Sequence, residues 1–131
     1  MTLVEAQKII ESALAKCESM GLKMAICVVD SQADLVASIR MDGVQAYVTD
    51  NVRGKAMVSA LYRLPSGDLA DKATTPELSS MNYRYGGRLQ FRRGAMPIII
   101  NGQLTGAVGV GGARGEQDEE VAKAGAAAIG A

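Results

Sequence analysis

The dipeptide Asn101-Gly102 constrains the fold of this 131-residue chain more than any other feature of its sequence. It separates two largely apolar segments, residues 97–100 and residues 103–110. Asn-Gly favours a two-residue turn in which both residues take positive φ angles, and such a turn joins antiparallel strands. The sequence therefore predicts a β-hairpin near the C-terminus.

A second hairpin is predicted nearer the N-terminus. Residues 24–29 form a continuous apolar run suited to a buried strand, residues 30–34 are typical of a turn, and residues 35–41 return as another strand. A short segment at 88–92 predicts one further strand. Five strands, four of them in hairpins, indicate an antiparallel sheet.

Helices are predicted on either side of these strands. Thr2 and Glu5 form a capping box at the start of the first helix. A long helix is predicted over 45–64, where a proline follows, and a last helix over 117–128. Shorter helical pieces are predicted at 67–72 and 76–80. Together with the hairpins, these helices predict a single α+β domain spanning residues 1–131.

The glycine-rich segment that leads into the last helix raises the question of nucleotide binding. Its sequence GVGGAR has Arg114 where the dinucleotide-binding motif G-x-G-x-x-G requires a third glycine. No Lys-Ser or Lys-Thr pair follows to complete a P-loop, and the preceding strand belongs to a hairpin, not to a βαβ unit. A nucleotide-binding fold is therefore not expected.

The same glycines have two other interpretations. Gly106 and Gly109 allow a strand to approach a neighbouring backbone closely, and Gly111-Gly112 allow a sharp turn into the helix. The strand end, the glycine turn and the helix N-terminus then converge at one point. Backbone N–H groups at such a point can bind an anionic group.

Composition argues against several classes of function. The 14 basic residues balance the 14 acidic ones, so we expect neither nucleic acid nor a membrane as a partner. The absence of histidine removes the usual general base, the commonest zinc ligand and the usual haem ligand; we assign no metal site and no particular cofactor. Cys17 and Cys27 are expected to be reduced and buried, as in a cytoplasmic protein. The N-terminus MTLVEAQKII predicts a helix, not a signal peptide.

Several segments in combination resemble the GlcG/HbpS family, which includes the C-terminal domain of PduO. The longest is PIIINGQLTGAVGVGG at 97–112, and QDE followed by VAKAG lies within 117–125. Upstream, VVD at 28–30 and RMDG at 40–43 match a further family segment. The likeness spans the whole chain.

This resemblance implies a profilin-like α/β/α sandwich with the five-stranded antiparallel sheet, assembled into dimers or larger rings. Family members are found in glycolate use, propanediol use, haem sensing and aromatic catabolism, and they are often labelled haem-degrading or haem-binding. They are reported as binders of small ligands or tetrapyrroles, and a catalytic activity is rarely assigned to them.

Two cations are the main candidates for contact with a ligand. Arg40, at a strand end, offers a planar bidentate fork, and Lys55, in the long helix, offers a compact charge whose pKa falls on burial. Asp42 or Asp50 could instead pair with either of them at the surface. Lys55 is also the candidate catalytic residue. The full set of ligand-binding candidates is Arg40, Lys55, Gly94, Gly111, Gly112 and Asp118.

Two other segments leave alternatives open. Residues 81–94 interleave arginines with aromatic residues, a pattern that favours a mobile lid or a subunit interface over a surface that stacks nucleic-acid bases. An acidic group near the start of the last helix favours a solvated helix end over a Mg²⁺ or iron site. Its members are Glu116, Asp118, Glu119 and Glu120.

We therefore expect a cytoplasmic, oligomeric protein that binds a small organic anion or cofactor and is accessory to a catabolic pathway. The alternative is a lyase or isomerase that acts on a small hydroxylated or aromatic acid, with lysine or tyrosine as the general base. An enzyme should place Lys55 or a tyrosine in a closed pocket, whereas a binding protein could have an open apolar groove.

Overall fold

A computed structural model describes residues 1–131. The first helix begins as the capping box predicts, because Glu5 N–H donates to Thr2 Oγ1 and Thr2 N–H donates to the Glu5 carboxylate. The elements in chain order are α1 (Leu3–Ser19), β1 (Ala25–Asp30), β2 (Leu35–Arg40), α2 (Ala46–Tyr62), a 3₁₀ helix (Ser66–Lys72), α3 (Pro76–Arg84), β3 (Ala95–Ile100), β4 (Gln103–Gly111) and α4 (Gly115–Ala127).

Four antiparallel strands form one sheet in the order β2-β1-β4-β3. The two hairpins β1–β2 and β3–β4 lie side by side, and β1 pairs with β4 from Ala25–Gly111 to Asp30–Gly106. Asn101 has φ 52° and Gly102 has φ 78°, so the second hairpin turn has the predicted conformation. The sequence-based prediction of an α+β fold with an antiparallel sheet is confirmed.

The prediction of a fifth strand at 88–92 is wrong. These residues join no ladder, and they cross helix α2 instead of extending the sheet. Leu89 and Phe91 are buried against the α2 side of the core. Gly54 of α2 makes this crossing possible, because a Cβ atom there would collide with the Arg88 carbonyl oxygen. The two apolar residues of this segment are therefore buried by packing on a helix and not by strand pairing.

Helices cover both faces of the sheet and give a three-layer α/β/α arrangement. Ile26 and Val28 of β1 face α1 and α4, whereas Cys27 and Val29 face α2. On the α2 side, Gly109 of β4 lets the helix approach closely, because a Cβ atom there would collide with a carbonyl oxygen of the helix. This contact holds the middle of α2 against the strand that leads to the glycine turn.

Both cysteines are free and buried. The observed α3 is longer than the helical piece predicted at 76–80. No helix in the chain combines the length and the apolar character needed to cross a bilayer.

Candidate functional site

A cavity of about 610 Å³ opens where the N-terminal ends of α2 and α4 meet the end of β4. Tyr47 and Val48 from the first turn of α2 form one wall. Gly111 at the end of β4 and Gly115 at the start of α4 also line the cavity. The predicted convergence of a strand end, a glycine turn and a helix N-terminus is thus present, and α2 adds a second helix N-terminus.

A buried ion pair forms the floor of this cavity. Lys55 of α2 and Asp118 of α4 are only 5% and 3% exposed, and Lys55 Nζ lies 3.1 Å from Asp118 Oδ2. Lys55 Nζ also donates to the carbonyl oxygen of Val110, at 3.0 Å. The second carboxylate oxygen, Asp118 Oδ1, accepts from Ala113 N–H. The pair therefore ties α2 and α4 to the end of β4.

Burial shifts the pKa values of both partners in the direction that favours their uncharged forms. Burial lowers the pKa of Lys55, and the attraction of Asp118 opposes this effect. Burial likewise raises the pKa of Asp118, against the opposing attraction of Lys55 and the hydrogen bond from Ala113. Transfer of the proton from Lys55 to Asp118, which makes both groups neutral, therefore costs less free energy here than in water.

Glycines surround the Lys55 ammonium group. A Cβ atom at Gly94 would lie 2.6 Å from Lys55 Nζ, and one at Gly111 would lie 3.5 Å from it. Gly94 also has a φ of 133°, a conformation that favours glycine. Because neither glycine has a side chain, the space next to Lys55 Nζ is not filled by a Cβ atom. Gly112 lies on the wall of the same cavity.

The cavity wall is strongly cationic. Its charged side chains are Lys23, Lys55, Arg92, Arg93 and Asp118. Asp118 is paired with Lys55, and Arg93 is paired with Glu119 outside the wall at 3.1 Å. Lys23 and Arg92 are exposed and join no ion pair. Two cations are therefore left free to face a ligand.

The structure brings five of the six sequence-predicted candidates together: Lys55, Gly94, Gly111, Gly112 and Asp118. It does not bring Arg40 to them. Arg40 lies opposite Ala25, which in turn lies opposite Gly111, so the central strand β1 separates Arg40 from the cavity edge. The Arg40 side chain is exposed and lines no part of the cavity.

The acidic group at the start of α4 divides into buried and exposed members. Glu119 is only 9% exposed and binds Arg93 and Lys123, and Glu120 pairs with Lys16. Asp118 serves the ion pair described above. No group of three or more acidic or cysteine side chains is arranged to hold a metal ion.

Sequence reasoning missed Lys23 and Arg92 as parts of the cavity wall. Arg92 belongs to the arginine-rich segment 81–94, whose sequence favours a lid or an interface, and the end of this segment does border the cavity. The burial of Asp118 could have been inferred, because it precedes the buried Val121, Ala122 and Gly125 by three, four and seven residues. Lys23 has no comparable sequence signal.

Comparison with known proteins gives consistent matches over the whole chain. A family model described as "Haem degrading protein HbpS-like" matches residues 1–127. An uncharacterized 15.0 kDa protein of the dhaT-dhaS intergenic region of Citrobacter freundii is 31% identical over 127 residues, which are 94% of this chain and 87% of that protein.

Solved structures show the same fold. A double mutant of Streptomyces reticuli HbpS is 27% identical, with a TM-score of 0.86 over 100% of this chain and 88% of that one. A PduOC–heme complex is 19% identical, with a TM-score of 0.87 over 99% of this chain and 95% of that one. At 19% identity, the second likeness concerns the fold alone.

Proposed function

This chain belongs to the family of HbpS-like proteins, and from that premise we propose that it is a binding protein for a small organic anion. The observation that carries the proposal is the charge of the cavity wall. Four cations and one carboxylate line the cavity, and that carboxylate, Asp118, is already paired with Lys55. An anion that enters this space meets two unpaired cations, Lys23 and Arg92, which makes a ligand carboxylate the matching group.

The helix ends add to this attraction. Helix α2 begins at Ala46 without a side-chain cap, because Gln45 makes no capping hydrogen bond. Its first N–H groups and the positive end of its dipole are therefore available to a ligand in the cavity. Helix α4 adds a second positive helix end at Gly115. Two helix N-termini and two unpaired cations suit a dicarboxylate, or a carboxylate that carries a second polar group.

The residues of this cavity do not fit a haem, although the family description names one. Among the side chains that can ligate haem iron, namely His, Cys, Met, Tyr and Lys, the cavity offers Tyr47, which is 64% exposed, and two lysines, of which Lys55 is held by Asp118. Only 4 of the 15 lining residues are hydrophobic, too few to cover both faces of a macrocycle. PduOC binds heme, but we therefore do not assign heme binding to this cavity.

The finer parts of the proposal rest on the family resemblance. We propose that the protein acts in the cytoplasm as a homo-oligomer, without nucleic-acid or membrane partners, and as an accessory to a catabolic pathway. Its neutral overall charge supports the absence of nucleic-acid partners, since 14 basic and 14 acidic residues leave no net positive charge to attract a polyanion.

One observation favours an enzyme as the second candidate. Lys55 is buried beside a carboxylate, and burial lowers its pKa toward the range of a general base. A lyase or isomerase acting on a small hydroxylated acid would use Lys55 as that base. The cavity is polar and has exposed residues at its rim, so it matches neither the closed pocket expected of an enzyme nor an apolar groove.

Calorimetric titration tests the binding proposal. The probes are acetate, glycolate, oxalate, benzoate and inorganic phosphate, with the amides of the organic acids as neutral controls. We expect at least one carboxylate to bind in a saturable manner and its amide not to bind. Binding of amides and acids with equal affinity, or no binding of any acid, would contradict the proposal.

A matched pair of variants locates the site. Arg92→Gln removes a cation from the cavity wall, and Arg40→Gln removes an exposed cation outside it. We expect Arg92→Gln to weaken binding by about tenfold or more, because a charge-assisted hydrogen bond contributes about 1.5–3 kcal/mol. A loss confined to Arg40→Gln would overturn the cavity assignment. A loss in both would add Arg40 to the ligand site.

A further inference from the structure

The amino group of Lys55 has one N–H bond that no protein atom accepts. An ammonium group has three donors, and two of those of Lys55 are engaged, one by Val110 O and one by Asp118 Oδ2. Lys55 lines the cavity, and Gly94 and Gly111 leave the space beside Nζ free of side chains. A small molecule in the cavity can therefore reach the nitrogen atom itself.

A protonated Lys55 nitrogen cannot act as a nucleophile, and Asp118 is positioned to accept its proton. Its Oδ2 atom lies 3.1 Å from Nζ, within direct proton-transfer distance, and Ala113 N–H fixes the other carboxylate oxygen. Transfer converts the ammonium to a neutral amine and the carboxylate to a carboxylic acid. Burial favours this neutral form of both groups, as the directions of their pKa shifts indicate. A buried lysine of this type is a typical nucleophile toward carbonyl groups.

We propose that Lys55 captures the carbonyl carbon of small aldehyde acids and 2-oxo acids as a Schiff base, with Lys23 and Arg92 facing the carboxylate of the same molecule. This inference rests on the proposed anion-binding function and names its ligand class. Carbonyl acids combine the two features that the cavity recognises, a negative charge for its cations and an electrophilic carbon for its amine.

The chemistry balances without an added oxidant or reductant. The Nζ lone pair of Lys55 forms a bond to the carbonyl carbon, and the C=O π electrons move to oxygen, which takes the proton held by Asp118. The nitrogen returns a proton to Asp118, giving a neutral carbinolamine. The nitrogen lone pair then forms C=N while the hydroxyl group leaves with that proton as water. The product is a protonated imine beside the Asp118 carboxylate, and the sum is lysine ammonium plus carbonyl giving protonated imine plus water.

Reductive trapping tests the inference. The protein is incubated with glyoxylate and cyanoborohydride, and the adduct is counted by intact mass spectrometry and located by tryptic mapping. We expect one reduced adduct per chain, on Lys55, at glyoxylate concentrations that leave the exposed lysines unlabelled. Lys55→Arg keeps the charge and should abolish this adduct. Lys8→Arg changes an exposed lysine of α1 outside the cavity, and labelling of Lys55 should persist.

A competition experiment needs no variant and so holds even if Lys55→Arg does not fold. Oxalate carries no aldehyde or ketone, and an excess should suppress labelling of Lys55 in the unaltered protein. Labelling spread evenly over all lysines, or absent from Lys55, would overturn the Schiff-base inference. If oxalate binds by calorimetry and glyoxylate leaves no adduct, the inference fails and the anion-binding function stands. If no anion binds and Lys55 is still labelled, the anion-binding function fails instead.

Discussion

Replacing Asp118 with asparagine isolates the charge of the buried pair from its shape. The amide oxygen of Asn can still accept from Ala113 N–H, so the change mainly removes the negative charge that faces Lys55. At 3.1 Å and an effective dielectric constant of about 20, the lost attraction is about 5 kcal/mol, part of which only offsets desolvation. Breaking a buried pair typically costs about 3–5 kcal/mol, because the remaining charge is left uncompensated.

We expect Asp118→Asn to lower the free energy of unfolding by about 3 kcal/mol at neutral pH, measured by urea denaturation followed by far-UV circular dichroism. The melting temperature should fall by roughly 10–15 °C for a chain of this length. The double variant Lys55→Met/Asp118→Asn removes both charges of this pair and should recover to within about 1 kcal/mol of the unaltered protein. A stable Asp118→Asn protein, or losses that simply add in the double variant, would refute this account of the pair.

Four further results are expected. Asn101→Val should destabilise the fold by about 1–3 kcal/mol, because its φ is 52°, and unchanged melting would contradict the turn. Burial raises the pKa of Cys27 to about 12 and also raises that of Cys17, so neither thiol should react with a disulfide reagent before unfolding; fast labelling of the folded protein would be inconsistent with their burial. The hydrogen bond from Arg93 lowers the pKa of Glu119 below its ordinary value of 4.5, so its stabilisation is complete above that pH and is lost as the pH falls through the folded-state value. Glu119→Gln should therefore melt below the unaltered protein at neutral pH, with a difference that shrinks as the pH falls below 4.5; a difference independent of pH would argue against this ion pair. Added haem should give no sharp six-coordinate low-spin spectrum, and tight stoichiometric binding with such a spectrum would overturn the exclusion of haem from the cavity.

Local sequence chemistry determined the parts of the fold that were predictable. The capping box at Thr2 and the positive φ angles at Asn101-Gly102 depend on contacts between near neighbours in the chain, so the sequence alone reveals them. The segment 88–92 depends instead on a distant partner. Its buried Leu89 and Phe91 alternate as in a strand, and only the close approach to Gly54 decides that they pack on a helix.

The site was predictable to the extent that its residues lie on regular elements. Lys55 and Asp118 follow the buried face of their helices, and the glycine turn lies at a strand end that the hairpin register defines. Arg40 also ends a strand, but the strand order puts β1 between it and the cavity. The order of strands depends on long-range pairing, which a single sequence does not reveal. The place of Arg92 in the cavity wall likewise depends on long-range packing, that of segment 88–92 against α2.

An NMR titration tests the central claim, that the cavity between α2, α4 and β4 binds a small organic anion, most directly. Oxalate is added to ¹⁵N-labelled protein, and the backbone amide shifts are followed to saturation. We expect the largest changes at the amides that surround the cavity, those of Tyr47, Gly111, Gly112 and Gly115, with one common dissociation constant. Changes centred on Arg40 at the far side of β1, or no saturable change at the glycine turn, would contradict the account.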